Sequence, residues 1–162
     1  MVRTAFFSFH YDEDSWRASQ VRNSDVVQSD DFDSSGFIDG AEWEEVKQEG
    51  DSAIKRWIRK QMRGCSVTVL LIGSNTHGRK WIDHEIRKSV EEGMGIVGVR
   101  IHNIKDQNGK TAQRGRNPLK KWHFEPSGES LSIRYNTYDW VGANGQENLG
   151  EWIEEAATIA DR

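Results

Sequence analysis

The run Ser66–Ile72, SVTVLLI, limits what this chain can fold into more than any other stretch. It is β-branched, continuously apolar and bounded by Gly64 and Gly73, so it reads as a strand covered on both faces. Such a strand needs a layer of helices on each side of its sheet. The flanking segments supply them. Asp51–Arg63 carries Ile54, Trp57, Ile58 and Met62 at helical spacing and stops at Gly64. Arg79–Glu92 repeats Ile82, Ile86 and Val90 every four residues and stops at Gly93. Gly95–Ile101, GIVGVRI, is a further buried strand.

The rest of the chain extends this alternation. Thr4–His10, TAFFSFH, is a buried opening strand, ended by Tyr11–Ser15. An Asp or Ser in that turn caps a helix over about Trp16–Asn23. Ser29–Ser35 is polar and acidic and reads as a loop, with a short second strand at Gly36–Asp39. Residues 103–138 are polar, with Asn108-Gly109 and Asn117-Pro118 as turn signals. Tyr138–Val141 is the last strand and Glu147–Ala160 the closing helix. The prediction is an α/β fold: a central parallel sheet flanked by helices, one domain over residues 1–162, with 103–138 inserted before the final strand and helix. Ligands of such sheets bind beyond the carboxyl ends of the strands. That rule sets Phe9–Asp12, the loop after Phe37 and Gly73–Thr76 along one edge.

Charge and composition exclude several classes. The formal net charge is -4 and no Lys/Arg run marks a nucleic-acid surface; the basic residues of 105–121 read as a solvated loop. No apolar stretch is long enough for a signal peptide or a membrane span. Cys65 is the only cysteine, so an internal disulfide is impossible, which fits a cytoplasmic protein. The five histidines lack ligand spacing, and Asp30, Asp31, Asp33 and Asp39 form no calcium loop because Ala41 stands where its closing Glu belongs. No metal is expected. There is no GxGxxG and no P-loop.

Two places are able to carry chemistry. Gly73-Ser74-Asn75-Thr76 joins a strand to a helix; it serves either as an anion cradle at a helix N-terminus or as an ordinary capped turn. Trp81 and Glu85 lie one turn apart on a helix, with Glu85 at the border of the apolar stripe. A carboxylate beside an indole is partly desolvated, which raises its pKa or strengthens its hold on a sugar hydroxyl or a cation. The plainer alternative is a surface Glu paired with Lys88 or His84.

Three stretches carry a resemblance. FFSFHYDED (6–14) resembles the first box of TIR domains, SVTVLLIGSNTHGRKWIDHEI (66–86) their central strand and the helix bearing Trp-x-x-x-Glu-Ile, and YDWVGANGQENLGEWIEEA (138–156) the variant tail of a TIR-like family formerly known as a domain of unknown function. Within it, the similarity is to the TIR-like B proteins of the Thoeris antiphage system. The resemblance implies a flavodoxin-like fold and an enzyme that cleaves NAD as substrate, without a cofactor, to release nicotinamide and a cyclic ADP-ribose isomer. It implies that this product acts on a separate NAD-depleting effector, that a phage-derived trigger starts the response, and that copies of the chain assemble. It maps the catalytic carboxylate onto Glu85, and the substrate edge onto Phe7, Ser8, Phe9, His10, Ser74, Asn75 and Trp81. Residues 23–51 match ordinary TIR domains poorly, leaving Asp39 and Trp43 as candidates for the nicotinamide side. A non-catalytic TIR interaction module and a nucleoside deoxyribosyltransferase with a Glu nucleophile are the rival readings.

Overall fold

A computed structural model describes residues 3–162. Its strands are β1 (Arg3–Ser8), β2 (Phe32–Ser35), β3 (Val67–Ile72), β4 (Gly95–Arg100), the short pair β5 (His123–Phe124) and β6 (Glu129–Ser130), and β7 (Thr137–Asp139). The helices are α1 (Ser15–Arg22), α2 (Asp25–Gln28), α3 (Gly40–Gln48), α4 (Asp51–Met62), α5 (Lys80–Glu91), α6 (Leu131–Arg134) and α7 (Gly145–Ile159). The main sheet has the order β2-β1-β3-β4-β7, all parallel, and β5 and β6 form a separate antiparallel pair. With that pair set aside, the order is 2-1-3-4-5, the flavodoxin-like arrangement.

The alternation of side chains along β3 decides where the helices pack. Val67, Val69 and Leu71 join the larger core cluster with Val21 of α1 and Ile153, Ala156 and Ala157 of α7. Leu70 and Ile72 point the other way and meet Ile82 and Ile86 of α5. Thr68, on that same face, hydrogen-bonds Ser89 of α5 at 2.6 Å, so its buried hydroxyl is satisfied. Residues between β4 and β7 complete this layer: Leu119, Leu131 and Tyr135 pack against Ile82 and Ile86. The inserted segment is therefore a wall of the core, tied to α5 by the Lys121–Asp83 ion pair at 2.5 Å.

Several elements differ from the expectation. The second strand is Phe32–Ser35, inside the segment read as a loop, and Gly36–Asp39 is irregular. Only Phe32 of β2 is buried, because it is an edge strand with one partner, so its sequence lacks the apolar run of a central strand. Gly36 ends it with φ of +88°, and its Cα lies against the Phe7 carbonyl, so no side chain fits there. Helices α2 and α3 were not anticipated; α3 buries only Trp43.

β4 lies so close to α7 that Gly95 has no room for a Cβ: the added atom would collide with the Ala156 carbonyl. Backbone on both sides cannot yield as a flexible side chain does. Gly95→Ala is expected to cost about 2–3 kcal/mol in urea unfolding at an unchanged m-value. A loss below about 0.5 kcal/mol would contradict this packing.

Candidate active site

The strand order reverses between β1 and β3, and the candidate site lies at their carboxyl ends. Two turns meet there. The β1–α1 turn brings Asp14 to the N-terminus of α1, yet its side chain does not cap that helix. It accepts instead from the Thr76 hydroxyl at 3.3 Å, and Thr76 in turn accepts from the Gly73 N–H at 2.8 Å. Gly73 is packed so tightly on the Asp14 carboxyl that a Cβ would overlap it. Burial pushes Asp14 up to about 6, against the opposing pull of the Thr76 hydrogen bond. These contacts fix the β1–α1 turn relative to the start of α5.

Glu85 lies on the inner face of α5 and is completely buried. One carboxyl oxygen accepts from the Ser8 hydroxyl at 2.9 Å, the other from the Tyr11 hydroxyl at 2.6 Å. No cation pairs with it among the described residues; Lys88 pairs instead with Glu91 and Glu92. Burial raises its pKa from 4.5 to about 8, with the Tyr11 and Ser8 hydrogen bonds working in the opposite direction. The reading of Glu85 as a surface residue paired with Lys88 or His84 is thereby excluded. Helix position alone put it at a border; Ser8, the last residue of β1, draws it inside.

Tyr11 also lines a cleft of about 170 Å³, together with Phe9, His10, Asp12, Trp43, Arg79, Lys80, Trp81 and Ile82. It thus gathers Phe9, His10, Trp43 and Trp81 from the sequence-derived set, while Ser8 lies outside its lining and bonds the carboxyl directly. The Trp81 indole is half-buried, edge-on to His84 at 5.6 Å with the Lys80 ammonium 4.9 Å from its ring centre. Trp43 Nε1–H donates to Asp12 at 3.2 Å, and Lys47 pairs with the same oxygen at 2.7 Å. Burial and the nearby Arg79 lower the His10 pKa.

Other members of the set lie elsewhere. Phe7 is buried in the core, stacked on Phe37 at 4.5 Å. The Ser74 hydroxyl donates to the Gln113 carbonyl at 2.5 Å, and Asn75 donates to Glu13 at 3.0 Å. Asp39 caps α3, accepting from the Glu42 N–H at 2.8 Å. It also lines a neighbouring hollow of about 280 Å³ with Phe37, Trp16 and Phe9, which borders both spaces. Sequence reasoning places Tyr11 on the ligand edge within Phe9–Asp12 but misses its hydrogen bond to Glu85, and it does not single out Arg79, Lys80 or Ile82 of the cleft. The available signal was a tyrosine three residues past the end of a buried strand: if its ring is buried, its hydroxyl must find a partner.

Two larger hollows do not include Glu85 or Tyr11 in their lining. One, about 280 Å³, lies between Arg59, Met62, Cys65, Lys88 and Met94. The other, about 530 Å³, is a groove between Phe32 and the acidic face of α7. Neither contains a buried carboxyl. Among the described residues no cluster of His, Cys, Asp and Glu is arranged to hold a metal, and no helix is long and apolar enough to cross a membrane.

Comparison with known proteins decides the family. Residues 6–106 match the model of the TIR-like domain of Thoeris protein ThsB. The chain belongs to that family. It is also 36% identical over 148 residues to ThsB1 of Bacillus cereus (strain MSX-D12), covering 91% of this chain and 76% of the relative, which is provisionally named a cyclic ADP-D-ribose synthase. The family match spans both turns of the site and the whole of α5, so Ser8, Tyr11, Trp81 and Glu85 all lie within the ThsB TIR-like region.

Proposed function

We propose that this ThsB-family protein breaks the bond between nicotinamide and ribose in NAD and closes the remaining ADP-ribose on itself, giving a cyclic signal nucleotide for antiphage defence. The observation that carries this reading is Glu85: a carboxyl held by two hydroxyls at the switch point, one of them from Tyr11, which also lines a cleft of indole, imidazole and phenol groups.

The chemistry suits so sparse a site. When the C1″–N bond breaks, its electron pair stays on the pyridine nitrogen, and nicotinamide leaves neutral without needing a proton. The ribose becomes oxocarbenium-like, and one carboxylate stabilises that charge or holds the 2″- and 3″-hydroxyls. A glycosidase needs a second carboxyl because its leaving group must be protonated. The pyridinium is a flat cation, matched to the indoles of Trp81 and Trp43 that line the cleft. An oxygen or adenine nitrogen of the same molecule then attacks C1″ and closes the ring; water in its place gives ADP-ribose. Exclusion of water decides between them. The similarity to a relative provisionally named a cyclic ADP-D-ribose synthase supports closure.

A non-catalytic interaction module explains the fold equally well but not the carboxyl. An unpaired buried acid destabilises the folded state, and an adaptor gains nothing from it. The cytoplasmic setting, the separate NAD-depleting effector, the phage-derived trigger and self-assembly belong to this same proposal through the family. The test offers the purified protein NAD and, separately, a deoxynucleoside with a free base. Nicotinamide release with no base exchange supports the proposal; base exchange alone would assign a deoxyribosyltransferase.

A further inference from the structure

Glu85 has no exposed surface, so no ribose reaches it in the conformation described. Of the residues lining the cleft, Tyr11 is the one that also hydrogen-bonds the carboxyl. Its ring lies against Trp43 at 4.4 Å, Phe9 at 4.6 Å and Trp57 at 5.7 Å. The cleft, at about 170 Å³, is also smaller than the roughly 300 Å³ at which pockets for drug-sized ligands begin. NAD is larger than such ligands, so the site must open to admit it.

We infer that Tyr11 is a latch: its phenol occupies the place a ribose hydroxyl must take on Glu85, and substrate enters only when the ring swings aside while Asp14, held by Thr76 and Gly73, anchors the far end of the turn. This rests on the reading of Glu85 as the catalytic carboxyl. The exchange is balanced in hydrogen bonds, since one O–H donor leaves the carboxyl and another arrives. The turn is held from one side by α3, through Trp43 and Lys47 on Asp12, and at its base by the Ser15 hydroxyl on the Tyr11 carbonyl at 2.6 Å. A pull on α3 is therefore transmitted to the latch through Asp12. That gives the cyclase a resting state in which its carboxyl is shut away, and the closed ring keeps water from it.

Chemical labelling tests this without relying on turnover. The intact protein is treated at pH 6 with a water-soluble carbodiimide and glycine ethyl ester, and modification of Glu85 is followed by peptide mass against exposed Glu91 of the same helix. In the parent, Glu85 is expected to be protected. In Tyr11→Ala it is expected to label at least tenfold faster, the equivalent of about 1.4 kcal/mol, with Glu91 unchanged. Tyr11→Phe keeps the ring and loses only the hydrogen bond, so it decides the matter if the alanine variant does not fold; its Glu85 is expected to label several-fold faster. Parent-like protection of Glu85 in a folded Tyr11→Ala protein, or in Tyr11→Phe where alanine fails, overturns the latch. NAD cleavage is then measured on the same samples. Exposed Glu85 with no nicotinamide release from any sample, extracts of phage-challenged cells included, keeps the latch and discards the NAD reading. A Tyr11→Phe protein that loses kcat at unchanged KM, with Glu85 still protected, makes Tyr11 a positioning residue instead.

Discussion

The Glu85→Gln protein is expected to lose about a thousandfold or more in NAD turnover and yet to melt at a higher temperature than the parent. Glutamine keeps the shape and still has an oxygen for one hydroxyl and an amide for the other. It lacks the charge that the oxocarbenium-like ribose requires. The stability gain follows from burial. The carboxyl titrates near 4.5 when unfolded and at about 8 in the folded protein. Between those values the folded state binds more protons than the unfolded one, so stability falls as pH rises. The penalty is absent below about pH 4.5, grows through the interval and is complete above about pH 8. At pH 8 it amounts to about 4 kcal/mol, which glutamine removes. For a domain of this size that is a rise of roughly 10 °C in Tm at pH 8, shrinking to nothing at pH 4. Calorimetry at the two pH values and nicotinamide release measure both halves. Unchanged turnover would remove Glu85 from the chemistry; equal Tm shifts at pH 4 and pH 8 would contradict its buried, raised state.

The second large effect is on the pH profile of the parent. The ionised carboxylate is the working form, so kcat/KM for NAD is expected to rise roughly fiftyfold between pH 6 and pH 8 and to level off above pH 9. The sign follows from a free-protein pKa of about 8: only a small fraction of Glu85 is ionised at pH 6 and about half at pH 8. The groups around it do not imitate this limb. Tyr11, in direct contact, is pushed well above 10 by burial and then by Glu85 itself. His10, in the cleft, and His84, on the same helix, are lowered below 6.5, chiefly by burial and next by Arg79 and Arg87 respectively. In the complex the cationic nicotinamide ribose favours the carboxylate, so kcat should show the same limb at lower pH. A kcat/KM that is flat from pH 6 to pH 8 would contradict the assignment.

The elements that were legible in the sequence are those whose burial is continuous or periodic. β3 and β4 are apolar at nearly every position because helices cover both faces, and α4 and α5 carry regular stripes ended by Gly64 and Gly93. β2 and α3 escaped because each buries one large side chain, Phe32 and Trp43, too few to make a pattern. The segment before β7 read as a polar insertion because Leu119, Leu131 and Tyr135 are widely spaced, although together they close one layer of the core. Glu85 was found through its spacing from Trp81 and its resemblance to a TIR helix. Its burial was not legible, because the groups that enclose it, Ser8 and Tyr11, lie 77 and 74 residues away. Local periodicity reports a face, and only the sheet order brings β1 onto the inner side of α5.

The most direct test of the central claim is to incubate the purified protein with NAD beside Glu85→Gln, repeat the assay with extracts of expressing cells before and after phage challenge, and resolve the products by mass. The expected result is free nicotinamide together with a nucleotide one water lighter than ADP-ribose, both absent with Glu85→Gln. Absence of nicotinamide release from the protein and from challenged cells alike would contradict the account.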